Sequence, residues 1–263
     1  MSINQTVDNI DPLIIYMPGP WYEGSPSDDP LASRYSNDGT FTLSNSTGAA
    51  VTFTFDGTGV WLFGALRPNH GHYSVQLDGG TLISYDGWAN PEQFQAVLFS
   101  AINLPQGSHT VVLSNAGNTS YPYLDVDFIT WETEMGSVLE DTDPSFVYDS
   151  PSLWTTQPPN VDQFHGGTGH VTNGNQSSTT LTFEVCSFVQ VFGSVDNNHG
   201  PYTVQVDNGT TASYNANKQN FVPNVLLYSG TFADGKHTIK LTNTPEEGGQ
   251  YLAIDYAVVS SPR

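Results

Sequence analysis

The chain repeats itself, and that repetition limits its possible folds more than any other feature. The segment FGALRPNHGHYSVQLDGG, residues 63–80, returns 129 positions later as FGSVDNNHGPYTVQVDNG, residues 192–209, with ten of eighteen positions identical. Other pairs keep the same order: DPLIIYMPGPW at 11–21 with DPSFVYDSPSLW at 143–154, VLFS at 97–100 with LLYS at 226–229, GSHTVVLSN at 107–115 with GKHTIKLTN at 235–243, and YLDVDFIT at 123–130 with YLAIDYAV at 251–258. A duplication that runs the length of the chain implies two domains of one fold, residues 1–134 and 135–263. The polar, acidic stretch TEMGSVLEDTD at 133–143 suits the linker.

Inside each repeat the apolar period is two. TFTLSNSTGAAVTFTFDGTGVWLFG, HYSVQLDGGTLISY and HTVVLSNAG alternate apolar and polar residues and break at Gly, Asn and Asp. Alternation of this kind describes half-buried strands, and no long window carries a helical stripe. Seven or eight short strands in roughly 125 residues predict an all-β, two-sheet sandwich of the jelly-roll type in each repeat.

Charge narrows the partners. Twenty-six acids face six bases, for a formal net charge of −20. Such a surface repels nucleic acid and anionic membranes, and leaves neutral glycans, cations and basic proteins. Cys186 is the single cysteine, so no intrachain disulfide forms, and its place in LTFEVCSFVQVFG reads as a small core residue. MSINQTVDNIDPLIIY lacks the basic and apolar regions of a secretory leader, which leaves a cytoplasmic location open, and no apolar run approaches the ~20 residues that span a bilayer.

The motifs FHGGTGHVTNGNQSSTTLTFEV with VFG in repeat 2, and AAVTFTFDGTGVWLFG, YSVQLDGG, LFS and LPQGSHTVVLSN in repeat 1, resemble the galactose-binding-domain-like jelly-roll modules of basidiomycete fungi. The resemblance covers the whole chain, once per repeat. It implies a secreted or cell-surface location, carbohydrate or cell-wall polysaccharide as partner, and a structural calcium. Oxygen donors for that ion stand in SPSDDP, SNDG, VDNID and EDTD. No zinc-ligand spacing, EF-hand loop or phosphate-binding glycine loop occurs.

The residues shared by both repeats read mainly as scaffold. Asp78 and Asp207 sit at hairpin turns, and Tyr73 and Tyr202 read as packing residues with a hydroxyl to satisfy. Trp21 and Trp154 recur and read as packing too. Asp127 and Asp255 lie in apolar strands and need a partner if buried, and His109 and His237 are the expected ones. His70 and His199 lie instead in loops of Gly, Asn and Pro, where a rigid sandwich displays binding groups. Around His70, repeat 1 adds Arg67 and His72, and Asp86 with Trp88 in YDGWANPEQF, none of which has a counterpart in repeat 2.

Sugar recognition requires a flat apolar ring and a few planar polar groups, so Arg67, His70, His72, Asp86, Trp88 and His199 are the candidate ligand-binding residues, with Trp88 the stacking surface. Non-catalytic binding is the expected function. A lyase or glycoside hydrolase on the same scaffold would need paired carboxylates or a base with a charge neutraliser, which Asp86, Arg67, His70 and His72 could supply. A structural surface protein without a small ligand is the third class.

Overall fold

The computed structural model describes residues 2–184 and 188–260. Cys186 lies outside the described residues. The chain divides into two compact units, one of Met1–Ile10 with Ile14–Glu134 and one of Asp11–Leu13 with Met135–Arg263. Each is a jelly-roll β-sandwich, and among the described residues the helical content is limited to short 3-10 turns.

In the first unit, one sheet runs Ile15–Tyr16, Ala50–Gly57, Gly107–Asn115, His72–Leu77, Ile83–Asp86, and the opposing sheet runs Ser2–Asp8, Phe128–Glu134, Gly59–Leu66, Gln93–Ala101. A third, short sheet joins Leu124–Val126, Phe41–Ser44 and Tyr22–Gly24. The second unit repeats the first sheet as Phe146–Tyr148, Ser178–Glu184, Lys236–Asn243, Pro201–Val206, Thr211–Asn215. Its other sheet merges the remaining two, because Leu252–Ser260 is continuous where repeat 1 breaks at Asp127.

Alternation along each strand builds the core. In Gly107–Asn115, His109, Val111, Leu113 and Asn115 are buried while the residues between them are half-exposed or exposed. Phe53 packs edge-on to Trp131 of the opposing sheet at 5.4 Å. Tyr73 crosses the sandwich to donate to the Leu98 carbonyl at 2.8 Å, and Tyr202 does the same to Leu227 at 2.8 Å. Each buried hydroxyl thereby finds its acceptor on the edge strand of the far sheet, Gln93–Ala101 or Val222–Thr231.

The shared aspartates and histidines pair differently from the sequence expectation. Asp78 adopts a left-handed φ of 51° at its turn and accepts from the Thr110 amide and from His109 Nδ1, the latter at 2.6 Å. Asp207, with φ of 47°, repeats this with the Thr238 amide and His237 at 2.6 Å. His109 and His237 therefore do not serve Asp127 and Asp255. Those two carboxylates instead accept amides from a neighbouring loop, Ser36 for Asp127 and His165 for Asp255. The reason is topological: the aspartate at the hairpin lies beside the neighbouring strand's first residues, whereas Asp127 emerges on another strand.

Candidate functional site

The loop Arg67–His72 is held to its neighbours by backbone bonds. Arg67 donates to the Gly87 carbonyl, Gly87 to Gly71, and Gly71 to Tyr123. A Cβ on Gly71 would stand 2.1 Å from the Tyr121 carbonyl, so only glycine lets the two loops close up. This stitching brings His70, Gly71, His72, Asp86, Trp88, Asn118 and Tyr121 around one surface hollow of about 270 Å³.

Two aromatic rings flank it in the open: Trp88 is 48% exposed and Tyr121 is 42% exposed. Asp86 accepts the Trp88 amide at 3.0 Å, which fixes the turn that presents the indole. His72 is exposed, with Nδ1 3.2 Å from the Tyr85 carbonyl. Asn118 caps the Ser120 and Tyr121 amides through its side-chain oxygen and so sets the second ring. Tyr121 and Asn118 were not among the sequence candidates. Both lie in NTSYPY, where nothing local separates a ligand loop from an ordinary turn.

Arg67 and His70 are committed largely to the protein. A second, inner hollow of about 250 Å³ shares His70 with the first and has Arg67, Asp29 and the buried Asp125 in its wall. Asp125 is 1% exposed and accepts from Tyr35 Oη at 2.5 Å, from His70 Nε2 at 2.8 Å and from the Ala65 amide at 2.6 Å. The Tyr35 hydroxyl is pushed well above its ordinary range by burial and by the charge on Asp125. Arg67 pairs with Asp29 and lies over the Phe94 ring. Burial works against the Asp29 charge, but the guanidinium holds its carboxyl below the usual range. Arg67 is thus a wall residue of the inner hollow and does not line the one that Trp88 flanks.

Repeat 2 keeps the backbone and changes the lining. His199 is 6% exposed, as His70 is 3% exposed, and each turns Nδ1 toward the side chain of the preceding asparagine, Asn198 or Asn69. The strand register places Leu43 opposite Asp125 and Val171 opposite Ala253, so the floor carboxylate of repeat 1 is a methyl group in repeat 2. Ser194 replaces Ala65 and meets His199 Nε2 at 3.1 Å. Phe164 replaces Tyr35, and Asp196 replaces Arg67. Asn217 stands where repeat 1 has Trp88 and spends its amide on the carbonyls of Asn197 and His199.

The motifs read as calcium donors resolve into separate roles. In SPSDDP, Asp28 caps Ser25 and Asp29 holds Arg67. In EDTD, Asp141 binds His170 at 2.5 Å and Glu140 binds His165 at 2.8 Å. One carboxylate pair remains in each repeat, at matching places: Asp8 with Asp127, and Glu140 with Asp255. Burial, then the nearby Asp127 charge, pushes Asp8 up to about 7, and burial raises Asp127 to about 6. In repeat 2, Glu140 Oε2 and Asp255 Oδ1 are buried without a hydrogen-bond partner. Orphaned carboxylate oxygens have the chemistry of a hard-cation ligand. Among the described residues no group of three or more His, Cys, Asp and Glu side chains converges, so such an ion would draw its other ligands from hydroxyl and carbonyl oxygens, the Thr40 hydroxyl near Asp8 among them.

No protein-family model matches the chain. A protein from Flavonifractor plautii named A type blood alpha-D-galactosamine galactosaminidase is 25% identical over 244 residues, covering 90% of this chain and 21% of that protein. The chain therefore spans about a fifth of the length of this curated relative. Among solved structures, a family 35 carbohydrate-binding module from Clostridium thermocellum is 16% identical with a TM-score of 0.35, over 48% of this chain and 98% of that one. A family 35 module from Cellvibrio japonicus is 13% identical with a TM-score of 0.37, over 48% and 94%. A Paenibacillus xanthan lyase is 19% identical with a TM-score of 0.36, over 95% and 25%. No helix among the described residues is long and apolar enough to cross a membrane.

Proposed function

We propose that the protein binds glycans without turning them over, and that the hollow between Trp88 and Tyr121 in repeat 1 is a sugar-binding surface. The observation that carries this reading is the pair of exposed rings on loops locked by backbone hydrogen bonds, with His72 and Asp86 at the rim. A ring in that position covers the C–H face of a pyranose, and the rim groups meet its hydroxyls. Asp86 is the one carboxylate lining the hollow, and it already accepts an amide. Hydrolysis by paired carboxylates would need a second. The likeness to a fifth of a galactosaminidase supports an ancillary binding role and makes galactosamine and N-acetylgalactosamine first choices for a panel. A glycan partner supports an extracellular setting.

Trp88→Ala is the decisive variant. Loss of a desolvated stacking surface of about 1 kcal/mol or more lowers affinity roughly fivefold or beyond, with stability changed by under about 0.5 kcal/mol because the indole is half-exposed. Isothermal titration against the best sugar from a glycan array checks it. Full affinity in the variant, together with a melting temperature many degrees lower, would return the loop to scaffold.

We also propose that the Asp8–Asp127 and Glu140–Asp255 pairs each hold calcium, which would offset the repulsion between the two carboxylates of each pair. Saturating calcium at about 100-fold over Kd stabilises by about 2.7 kcal/mol, a rise of several degrees in melting temperature, and a chelator reverses it. Asp255→Asn should remove part of that rise. Identical melting curves in calcium and in chelator would dismiss the ion.

A further inference from the structure

The two repeats share one backbone pocket and line it with opposite chemistry. In repeat 1 the hollow of about 250 Å³ is lined by an ionic network: Asp125 binds Tyr35 and His70, and Arg67 binds Asp29. In repeat 2 the Asp125 carboxylate and the Tyr35 hydroxyl of that network are gone, and Asp196 stands at the position of Arg67. Tyr35, Ala65 and Asp125 become Phe164, Ser194 and Ala253. What remains is a pocket of about 180 Å³ walled by Phe164, Val171, Phe221 and Tyr251. Phe164 and Phe221 lie with ring centroids 6.3 Å apart.

The polar floor of this pocket is built, and its hydrogen bonds have a direction. Asn198 Oδ1 faces His199 Nδ1 at 2.8 Å, so the ring hydrogen sits on Nδ1 and Nε2 is left as an acceptor. Burial keeps the imidazole neutral by pushing its pKa down to about 4. The Ser194 hydroxyl, on a residue 1% exposed, donates to that Nε2 at 3.1 Å. Its own lone pairs are then the acceptors that the floor offers. Asp196 at the wall disfavours an anion. Burying an ammonium among phenyl rings carries a desolvation cost.

We propose that repeat 2 has a ligand site of its own in this inner pocket, which takes an uncharged group that sets a methyl or C–H face against Phe164, Val171 and Phe221 and gives an O–H or N–H to Ser194. The acetamido group of an N-acetylated sugar and the methyl-bearing edge of a 6-deoxy sugar share that chemistry. The inference rests on the glycan reading for the identity of the ligand as a sugar, and goes beyond it in assigning a second site with a different preference. The size of the pocket admits one substituent or the edge of one ring, not an oligosaccharide.

Amide-resolved NMR titration of the full-length chain tests it, with N-acetylgalactosamine, N-acetylglucosamine and methyl α-L-fucoside as neutral probes and galactosamine and galacturonate as charged ones. At least one neutral probe should move the amides of residues 194–199, 221 and 251, and the charged counterparts should bind at least about tenfold more weakly. The acetamido and deoxy arms separate the two sources of the methyl group. Phe221→Ala should weaken the neutral probe about fivefold or more. Ser194→Ala should do the same by removing the acceptor, and covers the case in which the phenylalanine variant fails to fold. Trp88→Ala should leave these shifts unchanged. Shifts confined to residues 70–72 and 86–88 would overturn the second site while leaving the repeat 1 reading intact. Equal binding of charged and neutral probes in repeat 2, or no shift there with any probe, would also overturn it.

Discussion

Replacing Gly193 by valine is expected to lower the melting temperature of repeat 2 by about 10 °C or more, a cost of roughly 3 kcal/mol or above. The backbone at Gly193 needs space, not an unusual conformation. A Cβ there would stand 2.1 Å from the Ala253 carbonyl oxygen and 2.6 Å from Leu227 Cδ1. The first of these atoms is backbone and cannot rotate away. The pairing of Phe188–Val195 with Leu252–Ser260 shifts register between Phe192 and Gly193, so Gly193 sits at an irregularity in the ladder. Gly64 meets the same geometry in repeat 1, with the Asp125 carbonyl 2.5 Å and Leu98 Cδ1 2.8 Å from its notional Cβ. A valine forces the two strands apart and breaks the floor of the adjoining pocket. Gly248 is the control: a Cβ there meets nothing within 4 Å, so Gly248→Val should change stability by under about 0.5 kcal/mol. Circular dichroism melts of both variants decide the matter, and equal melting temperatures would show that the strands separate cheaply.

The glycine at this position illustrates which parts of the molecule were legible in the sequence. FG followed by an apolar alternation announces a strand, and its recurrence in both halves announces two copies of one sandwich, because period and repetition survive translation into structure. Pairing does not. Asp127 sits at the break between Leu124–Val126 and Phe128–Glu134 and His109 on another strand, and sequence offers no register between them. The nearer acceptor, Asp78, takes His109 instead. The outer hollow was partly legible: His72, Asp86 and Trp88 differ between repeats, and loop stitching draws them together. Arg67 passed the same test yet faces inward, since difference between repeats marks a changed environment of any kind, a buried ion pair included. The same comparison applied to YLDVDFIT and YLAIDYAV singles out Asp125 against Ala253. That contrast points to the inner pocket, and an aspartate within an apolar strand concealed it.

Asp125→Ala is expected to cost repeat 1 about 3–5 kcal/mol, the range for removing one partner of a buried charged network. Three donors lose their acceptor at once: the Tyr35 hydroxyl, His70 Nε2 and the Ala65 amide. All three belong to buried residues, Tyr35 being 4%, His70 3% and Ala65 1% exposed, so each donor left without its acceptor carries a desolvation cost. Repeat 2 holds the same histidine without any such carboxylate. Ser194 supplies the group that His199 Nε2 meets, and Phe164 has no hydroxyl to satisfy. The three differences are therefore one coupled solution, and Tyr35→Phe, Ala65→Ser and Asp125→Ala made together should recover about 2 kcal/mol or more of the loss from Asp125→Ala alone. Such recovery is non-additivity among touching residues, in the favourable direction. The Phe ring can keep the stack on Phe41, whose centroid lies 4.4 Å from that of Tyr35. Urea titrations of the wild type, the single variant and the triple variant measure the terms. A triple variant no more stable than Asp125→Ala would mean that the two pockets are not interchangeable settings of one backbone, and that repeat 1 depends on its carboxylate for more than these three bonds.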